Sequence, residues 1–259
     1  MAFVSKIWLY PIKSLDGVSV DRVRVLPSGA LAGDREFAIL DDRDRYINAK
    51  RTASIHKIRA SFDLAARTVS LGVQDKPERQ VFHLDAERSH LEDWFTHFFQ
   101  QPARLARNGE LGFPDDTKRP GPTFIAESSL SAIADWYPEL SIEQIRKRFR
   151  ANIEIGGAPA FWEDTLVDPG DRPVSFRVGA VDFDGLNPCD RCVVPTRDPE
   201  TGEAYSQFQR IFTERRRATN PQWAQSDRFK HLYRLTTNTQ VSAQNIGSAI
   251  HCQDEVILL

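Results

Sequence analysis

The segment Asn187-Pro188-Cys189-Asp190-Arg191-Cys192 holds two of the three cysteines of the chain, three positions apart, behind a turn-forming Asn-Pro pair. Thiols at this spacing suit three kinds of chemistry: half of a zinc site, a redox dithiol, or a single thiolate ligand of a soft metal. Two buried structural cysteines without chemistry are the plain alternative.

The residues around this segment support the three kinds of chemistry to different degrees. A zinc site needs two further ligands, and His251 with Cys252 is the only pair of such residues close in sequence. A redox dithiol should open a helix, whereas the residues after Cys192, VVPTRDP, predict a strand and a turn. A single metal-bound thiolate needs one sulfur only, and the positive charge of Arg191 beside Cys192 favours the deprotonated form.

Several cationic residues occur in short turn segments beside predicted strands, where a phosphate-bearing ligand would meet them. Lys13 and Ser14 follow the end of the first predicted strand, and Arg35 begins another. Arg150 and Asn152, two residues apart on a predicted strand, are expected on the same face. Each residue alone is explained by solvation or a local salt bridge, but together they favour an anion site.

The elements that must position these residues are mostly strands. From Phe3 to about Val81, short alternating runs separated by turns, among them REFAILDD, RYINAK and RASFDLA, predict the strands of an antiparallel sheet or barrel, with a hairpin turn at 41–44. An amphipathic helix is predicted with Ser89 as its N-cap. Residues 109–123 are rich in Gly, Pro and Asp and predict a linker or a functional loop.

The second half of the chain also predicts a mixture of strands and helices. Helices are predicted around 128–136, 141–147 and 206–217, with strands in ANIEIGG, PVSFRVGAVDF, RCVVPTR and DEVILL. The predicted fold class is therefore mainly β with a few helices (α+β), in two units over 1–108 and 109–259.

Composition excludes several classes of protein. The 34 Lys and Arg against 36 Asp and Glu give a net charge of -2, so neither nucleic acid nor an anionic membrane is an expected partner. No window approaches the roughly 20 apolar residues of a membrane helix. The N-terminus lacks the pattern of a signal peptide, and three cysteines, an odd number, favour a reducing cytoplasm.

Four motifs in order, YPIKSL, GDREF, RFRANI followed by WEDTL, and CDRC followed by DPETG, resemble landmarks of the MOSC family. The resemblance is to its two-part members, the group that includes the mitochondrial amidoxime-reducing component and its bacterial relatives, and it covers nearly the whole chain. It implies an N-terminal MOSC-type β-barrel domain with a closing helix over 1–108. It also implies a MOSC β-barrel domain that binds the molybdenum cofactor over 109–259.

The resemblance also implies roles for single residues. Cys192 corresponds to the molybdenum ligand and the catalytic residue, and Cys189 to a neighbour without a metal bond. Lys13, Ser14 and Arg35 correspond to residues that contact the phosphate of the cofactor. A cofactor with a phosphate and two thiolates is strongly anionic, so fixed cationic donors have a clear task in holding it.

Contacts to the pterin of the cofactor correspond to Arg150, Asn152 and Arg191. The loop that contains Thr123 matches a cofactor-lining segment, so Thr123 is a further expected contact. Relatives nearest the amidoxime reducers carry an Asp-Thr-Ser-Pro-like sequence there, whereas this chain has Arg119 to Thr123.

The function implied is a molybdenum-cofactor-binding oxidoreductase that reduces N-hydroxylated compounds. The sequence lacks the closely spaced cysteines of an iron–sulfur domain, so electrons are expected from a separate donor protein. The alternative is a carrier of the cofactor or of sulfur, in which Cys192 forms a persulfide without redox turnover. A protein–protein module would leave the four motifs unexplained.

Overall fold

The computed structural model describes residues 1–259 apart from the side chain of Ala243. Strands dominate, as the sequence predicts. They are β1 (Phe3–Leu9), β2 (Val18–Val20), β3 (Arg22–Arg24), β4 (Phe37–Leu40), β5 (Ile58–Asp63), β6 (Thr68–Val73), β7 (Arg79–His83), β8 (Arg104–Arg107), β9 (Phe124–Ala126), β10 (Ile153–Gly156), β11 (Val174–Val178), β12 (Val181–Asp190), β13 (Arg234–Val241), β14 (Ala249–His251) and β15 (Val256–Leu258).

Helices lie close to the predicted positions. They are α1 (Arg88–Phe99), α2 (Glu127–Ala134), α3 (Ile142–Phe149) and α4 (Phe208–Ala218). The start of α3 is fixed by a capping box, in which Ser141 Oγ accepts from Gln144 N and Gln144 Oε1 accepts from Ser141 N. The prediction of Ser89 as an N-cap is wrong. The helix begins at Arg88, so Ser89 lies in its first turn and Glu87 occupies the N-cap position.

One large sheet joins the two halves of the chain. Its strand order is β15-β11-β12-β13-β9-β10-β1-β2, with β1 antiparallel to both β10 and β2. A single bridge between Phe3 and Glu255 connects the β15 end back to β1. The sheet therefore curls back onto itself, and within the described residues none of the sheets forms a continuous closed barrel.

Smaller sheets complete the N-terminal part. The three-stranded sheet β5-β6-β7 and the pair β4-β8 share a core with α1, in which Phe37, Leu71 and Phe95 are fully buried. The pair β3-β14 again joins the two halves of the chain. Since β1 pairs with β10 and β3 pairs with β14, the two predicted units interlock, and their division at residues 108 and 109 stays a prediction.

The predicted fold class, mainly β with a few helices, is confirmed, but two predicted strands are wrong. RYINAK forms only an isolated bridge, between Tyr46 and Leu40, beyond the predicted turn at 41–44. RCVVPTR is not a strand, since β12 ends at Asp190 and a short 3-10 helix covers Val194–Thr196. Pro195 in that helix has no N–H to donate to a strand ladder.

Candidate functional site

A cavity of about 460 Å³ opens where the segment after β1, the loop 109–123, the end of α3 and the end of β12 meet. We call it the Cys192 cavity. All eight residues that the sequence analysis proposed as site residues line it: Lys13, Ser14, Arg35, Thr123, Arg150, Asn152, Arg191 and Cys192. The fold therefore brings together residues that are up to 179 positions apart in the chain, counted from Lys13 to Cys192.

The segment after β1 presents Lys13 to this cavity. The strand ends at Leu9, and Lys13 N donates to Phe37 O at 2.8 Å. The Lys13 side chain is 8% exposed, and its ammonium donates to Phe113 O at 2.8 Å and to Asp115 Oδ1 at 2.7 Å. Burial lowers the pKa of Lys13, while the Asp115 carboxylate acts in the opposite direction.

Three of the eight residues have left-handed backbones, at φ 74° for Ser14, 50° for Arg35 and 53° for Arg150. Such conformations are costly for residues other than glycine, and they persist only where the surroundings hold them. At Ser14 part of the support is visible, because Ser14 Oγ accepts from Ala49 N at 3.1 Å. The site is therefore built on backbone turns rather than on regular strands.

Two guanidinium groups lie over the ring of Tyr10. The Cζ atom of Arg150 lies 4.0 Å from the ring centroid, and that of Arg35 lies 5.2 Å from it. Arg150 also donates to Leu15 O at 2.7 Å, and Arg35 is ion-paired with Asp34. Burial raises the pKa of Tyr10 to about 12, so this ring is a neutral platform that fixes the two cations at one end of the cavity.

The predicted strand geometry of Arg150 and Asn152 is wrong, although both residues do line the cavity. Arg150 is the left-handed C-cap of α3, and Asn152 precedes β10. Asn152 Oδ1 accepts from Thr123 N at 3.3 Å and lies 3.5 Å from Arg35 Nη1, while its Nδ2 donates to Trp8 O at 3.1 Å. Asn152 thereby ties the loop of Thr123 to Arg35.

Cys189 and Cys192 are both free thiols of intermediate exposure. Cys189 is the second-to-last residue of strand β12, and Cys192 lies in the loop that follows the strand. Arg191 Nη1 lies 3.3 Å from Cys189 Sγ, and Nη2 donates to Phe149 O at 2.8 Å. The contact of Arg191 is thus with Cys189, not with Cys192 as the sequence argument expected.

Other polar residues, which were not predicted as site residues, also line the cavity, among them Asn48, Lys50, Asp115, Asn187 and Asn238. Lys50 Nζ lies 3.2 Å from Asp115 Oδ2, so Asp115 is shared by two lysines. The acidic composition of the 109–123 loop was a signal for Asp115. Asn48 and Lys50 lie in the run RYINAK, whose alternating pattern predicts a strand and gives no sign of a binding site.

Residues that line this site carry three buried polar atoms with no protein partner within the described residues, Asn187 Oδ1, Arg191 Nε and Arg148 Nε. Buried polar groups are normally hydrogen-bonded, so such atoms indicate a ligand or ordered water. No three His, Cys, Asp or Glu side chains converge as a metal-binding group in the part of the chain that the structure describes. Cys252 packs against the core of the main sheet, which removes the proposed second half of a zinc site.

The arrangement offers two partly exposed thiols, several cations and amide groups with both donors and acceptors. Comparison with known families agrees with this chemistry. A model described as the MOSC N-terminal beta barrel domain matches residues 1–104, and one described as the MOSC domain matches residues 123–252. The chain belongs to the MOSC family.

The chain is also similar to three proteins with descriptive names. Mitochondrial amidoxime reducing component 2 of Bos taurus is 25% identical over 239 residues, covering 77% of this MOSC protein and 67% of the relative. The protein of the same name from Homo sapiens is 24% identical and covers 77% and 68%. Molybdenum cofactor sulfurase of Homo sapiens is 23% identical, covering 84% of this chain but only 29% of the sulfurase.

Proposed function

We propose that this MOSC protein binds the molybdenum cofactor in the Cys192 cavity and reduces N-hydroxylated compounds. The observation that carries the proposal is that one cavity combines the Cys192 thiol with the buried cations expected to hold an anionic cofactor. The names of the amidoxime reducing relatives support the substrate class. A cytoplasmic location and a separate electron-donor protein are parts of the same proposal.

The residues present fit such a group. Cys192 would supply one thiolate to the metal, which otherwise takes its sulfur from the pterin. Lys13, Ser14 and Arg35 would hold the phosphate, because an ammonium, a hydroxyl and a guanidinium suit its oxygen atoms. A volume of about 460 Å³ lies within the usual range for small-molecule sites.

At the other end of the cavity, the orphaned Asn187 Oδ1 and Arg191 Nε would find partners on a heterocycle rich in donors and acceptors. Arg150, which lies beside Arg35 over the Tyr10 ring, would add positive charge, while Asn152 with Thr123 would position the loop. When bound, the cofactor would supply the two-electron chemistry, and the protein would supply binding and electrostatics. The half-exposed Cys192 would keep the metal accessible to substrate.

The decisive experiment is metal and pterin analysis of the full chain, purified from a host that makes the cofactor. Turnover of benzamidoxime with an artificial electron donor would be measured on the same sample. Molybdenum and pterin near one per chain, together with turnover, is the expected result. The absence of both would overturn the proposal and return Cys192 to a structural role.

A carrier of the cofactor or of sulfur is the second candidate function. This function is favoured because the match to part of molybdenum cofactor sulfurase covers 84% of this chain. In this role the Cys192 thiolate would attack the outer sulfur of a persulfide on a sulfur-donor protein, which would form a persulfide at Cys192 and release the donor's thiolate. Bound cofactor without any turnover, with a persulfide at Cys192 found by mass spectrometry, would favour the carrier over the reductase.

A further inference from the structure

A second cavity, of about 650 Å³, adjoins the Cys192 cavity, and the proposed function uses only residues of the wall that the two cavities share. We call it the His56 cavity. It lies between the sheet β5-β6, the start of α3 and the segment 194–200. Its wall toward the Cys192 cavity is shared, because Ser14, Ala49, Arg148, Arg150 and Val194 line both.

Three side chains of this cavity carry buried polar atoms without protein partners: Arg148, which also lines the Cys192 cavity, His56 and Arg197. His56 is 8% exposed, and its Nε2 atom is buried without a hydrogen bond. Within the described part of the chain, the Arg197 guanidinium takes part in no ion pair, and its Nε is buried and unsatisfied. Leaving a buried donor unpaired is costly, so both groups point to a ligand that the protein itself does not provide.

The charge of the cavity identifies the ligand as an anion. Eight Lys or Arg side chains line it against four Asp or Glu side chains. Three of the acids are already paired, Asp16 with Arg59, Glu143 with Arg146 and Glu200 with Lys147. The surplus is positive, and it includes Arg150 and Arg197.

His56 adds a neutral hydrogen-bonding group beside these cations. Burial, with the nearby Arg150, Arg197 and Arg59 acting in the same direction, lowers the pKa of His56 to about 4. The imidazole is therefore uncharged at neutral pH and offers Nε2 to a ligand without competing for its negative charge.

An inorganic anion alone would leave most of the cavity unfilled. Apolar side chains line the remaining wall: Trp8, Ile55, Ile58, Val73 and Val194. Pockets that combine an apolar wall with a few convergent polar groups bind small organic molecules. The occupant should therefore have an apolar body as well as a charged group.

We propose that the His56 cavity is a second small-molecule site, which binds an organic carboxylate or phosphate monoester. Its charged group contacts Arg197, Arg150 and His56, and its body lies against Ile58 and Val73. This site does not depend on the cofactor, and it would stand if the proposed reductase activity failed.

The test is isothermal titration of the full chain with two probes, benzoate for the carboxylate and phenyl phosphate for the phosphate ester. Saturable binding of at least one probe is expected. Arg197→Gln should raise its Kd at least about tenfold, since a charge-assisted hydrogen bond is lost, and His56→Leu should raise it less. Arg197→Lys keeps the charge and should retain more affinity than Arg197→Gln, provided that thermal melting shows each variant folded.

Two controls locate the binding. Arg215→Gln removes the same charge from the exposed face of α4 and should leave the Kd unchanged. Lys13→Ala weakens the Cys192 cavity only, so binding should persist in it. The proposal is overturned if neither probe binds up to roughly 10 mM. It is also overturned if Arg215→Gln matches Arg197→Gln, or if Lys13→Ala abolishes binding while Arg197→Gln does not.

Discussion

The ammonium nitrogen of Lys13 lies 2.7 Å from Asp115 Oδ1, and this ion pair fastens the 109–123 loop to the segment after β1. The lysine is almost fully buried, whereas the carboxylate side chain is 62% exposed. The phosphate of the proposed cofactor would meet the same ammonium group. Asp115 therefore either competes with that phosphate or holds Lys13 in place for it.

Variants of this pair distinguish the two roles. Lys13→Ala should lower cofactor retention at least about tenfold, because a buried charge-assisted contact to phosphate is lost. Asp115→Asn should raise retention, because it removes a negative charge beside the phosphate site while keeping the side-chain size. The measurement is molybdenum and pterin per chain after gel filtration of each variant.

Folding should be nearly unaffected by Asp115→Asn, since a pair with one exposed partner contributes only about 0–1 kcal/mol to stability. Equal melting curves of Asp115→Asn and the unmodified chain provide the control. If Asp115→Asn loses cofactor as strongly as Lys13→Ala, then Asp115 positions Lys13 and the competition argument fails.

The two thiols of the CDRC motif should differ in importance. Cys192→Ser should abolish turnover and change the sulfur coordination of the metal, measured by X-ray absorption at the molybdenum edge. Cys189→Ser should be much milder, because the Cys189 thiol contacts Arg191 Nη1 at 3.3 Å and a serine hydroxyl can accept a hydrogen bond from the same group. Equal losses of turnover with an unchanged metal spectrum in both variants would contradict the assignment of Cys192 as ligand.

Much of this site could be predicted from the sequence, because short motifs carry it. The eight proposed residues line one cavity, although their local structures were partly mistaken. Arg150 was placed on a strand, but the capping box at Ser141 and the left-handed Arg150 make it the end of a helix. Periodicity cannot show where a backbone turns left-handed, since Ser14 and Arg35 adopt that conformation through tertiary contacts.

What the sequence could not show are contacts between distant segments. The pairing of Lys13 with Asp115 depends on where the 109–123 loop crosses the segment after β1. The strands β1 and β2 look like part of a separate N-terminal unit, yet they extend the sheet of the second half. The His56 cavity forms between these halves and has no motif of its own.

The loop that carries Thr123 should not tolerate a side chain at Gly121. A Cβ there would lie 2.3 Å from Thr239 O, and Thr239 Oγ1 already donates to Pro122 O at 2.6 Å. Gly121→Ala should therefore displace the loop, lower the free energy of unfolding by about 1–3 kcal/mol and reduce cofactor retention. Urea unfolding and molybdenum content would measure the two effects.

Gly109→Ala is the matched control in the same loop, because its added Cβ would meet nothing closer than 3.8 Å. It should leave both retention and stability close to those of the unmodified chain. Wild-type behaviour of Gly121→Ala would show that this loop does not depend on close packing against β13.

The buried carboxyl of Glu163 should make stability fall as pH rises. Desolvation, helped by Asp164, raises its pKa from 4.5 to about 7, and Glu163 is only 1% exposed. Because the folded pKa lies above the unfolded one, the stabilisation is present below about pH 4.5. It is lost as pH rises to about 7, by up to about 3 kcal/mol. Glu163→Gln, which cannot ionise, should lack this loss.

The measurement is urea unfolding of both proteins between pH 5 and 8. Ser129 Oγ donates to Glu163 Oε2 at 2.8 Å, and a glutamine carbonyl can accept the same bond, so the variant should fold. Stability relative to Glu163→Gln should decline across this range and level off above pH 7. The exposed Glu139→Gln variant should follow the unmodified chain at every pH. Parallel curves for Glu163→Gln and the unmodified chain would mean that Glu163 ionises in the folded protein as readily as in the unfolded one.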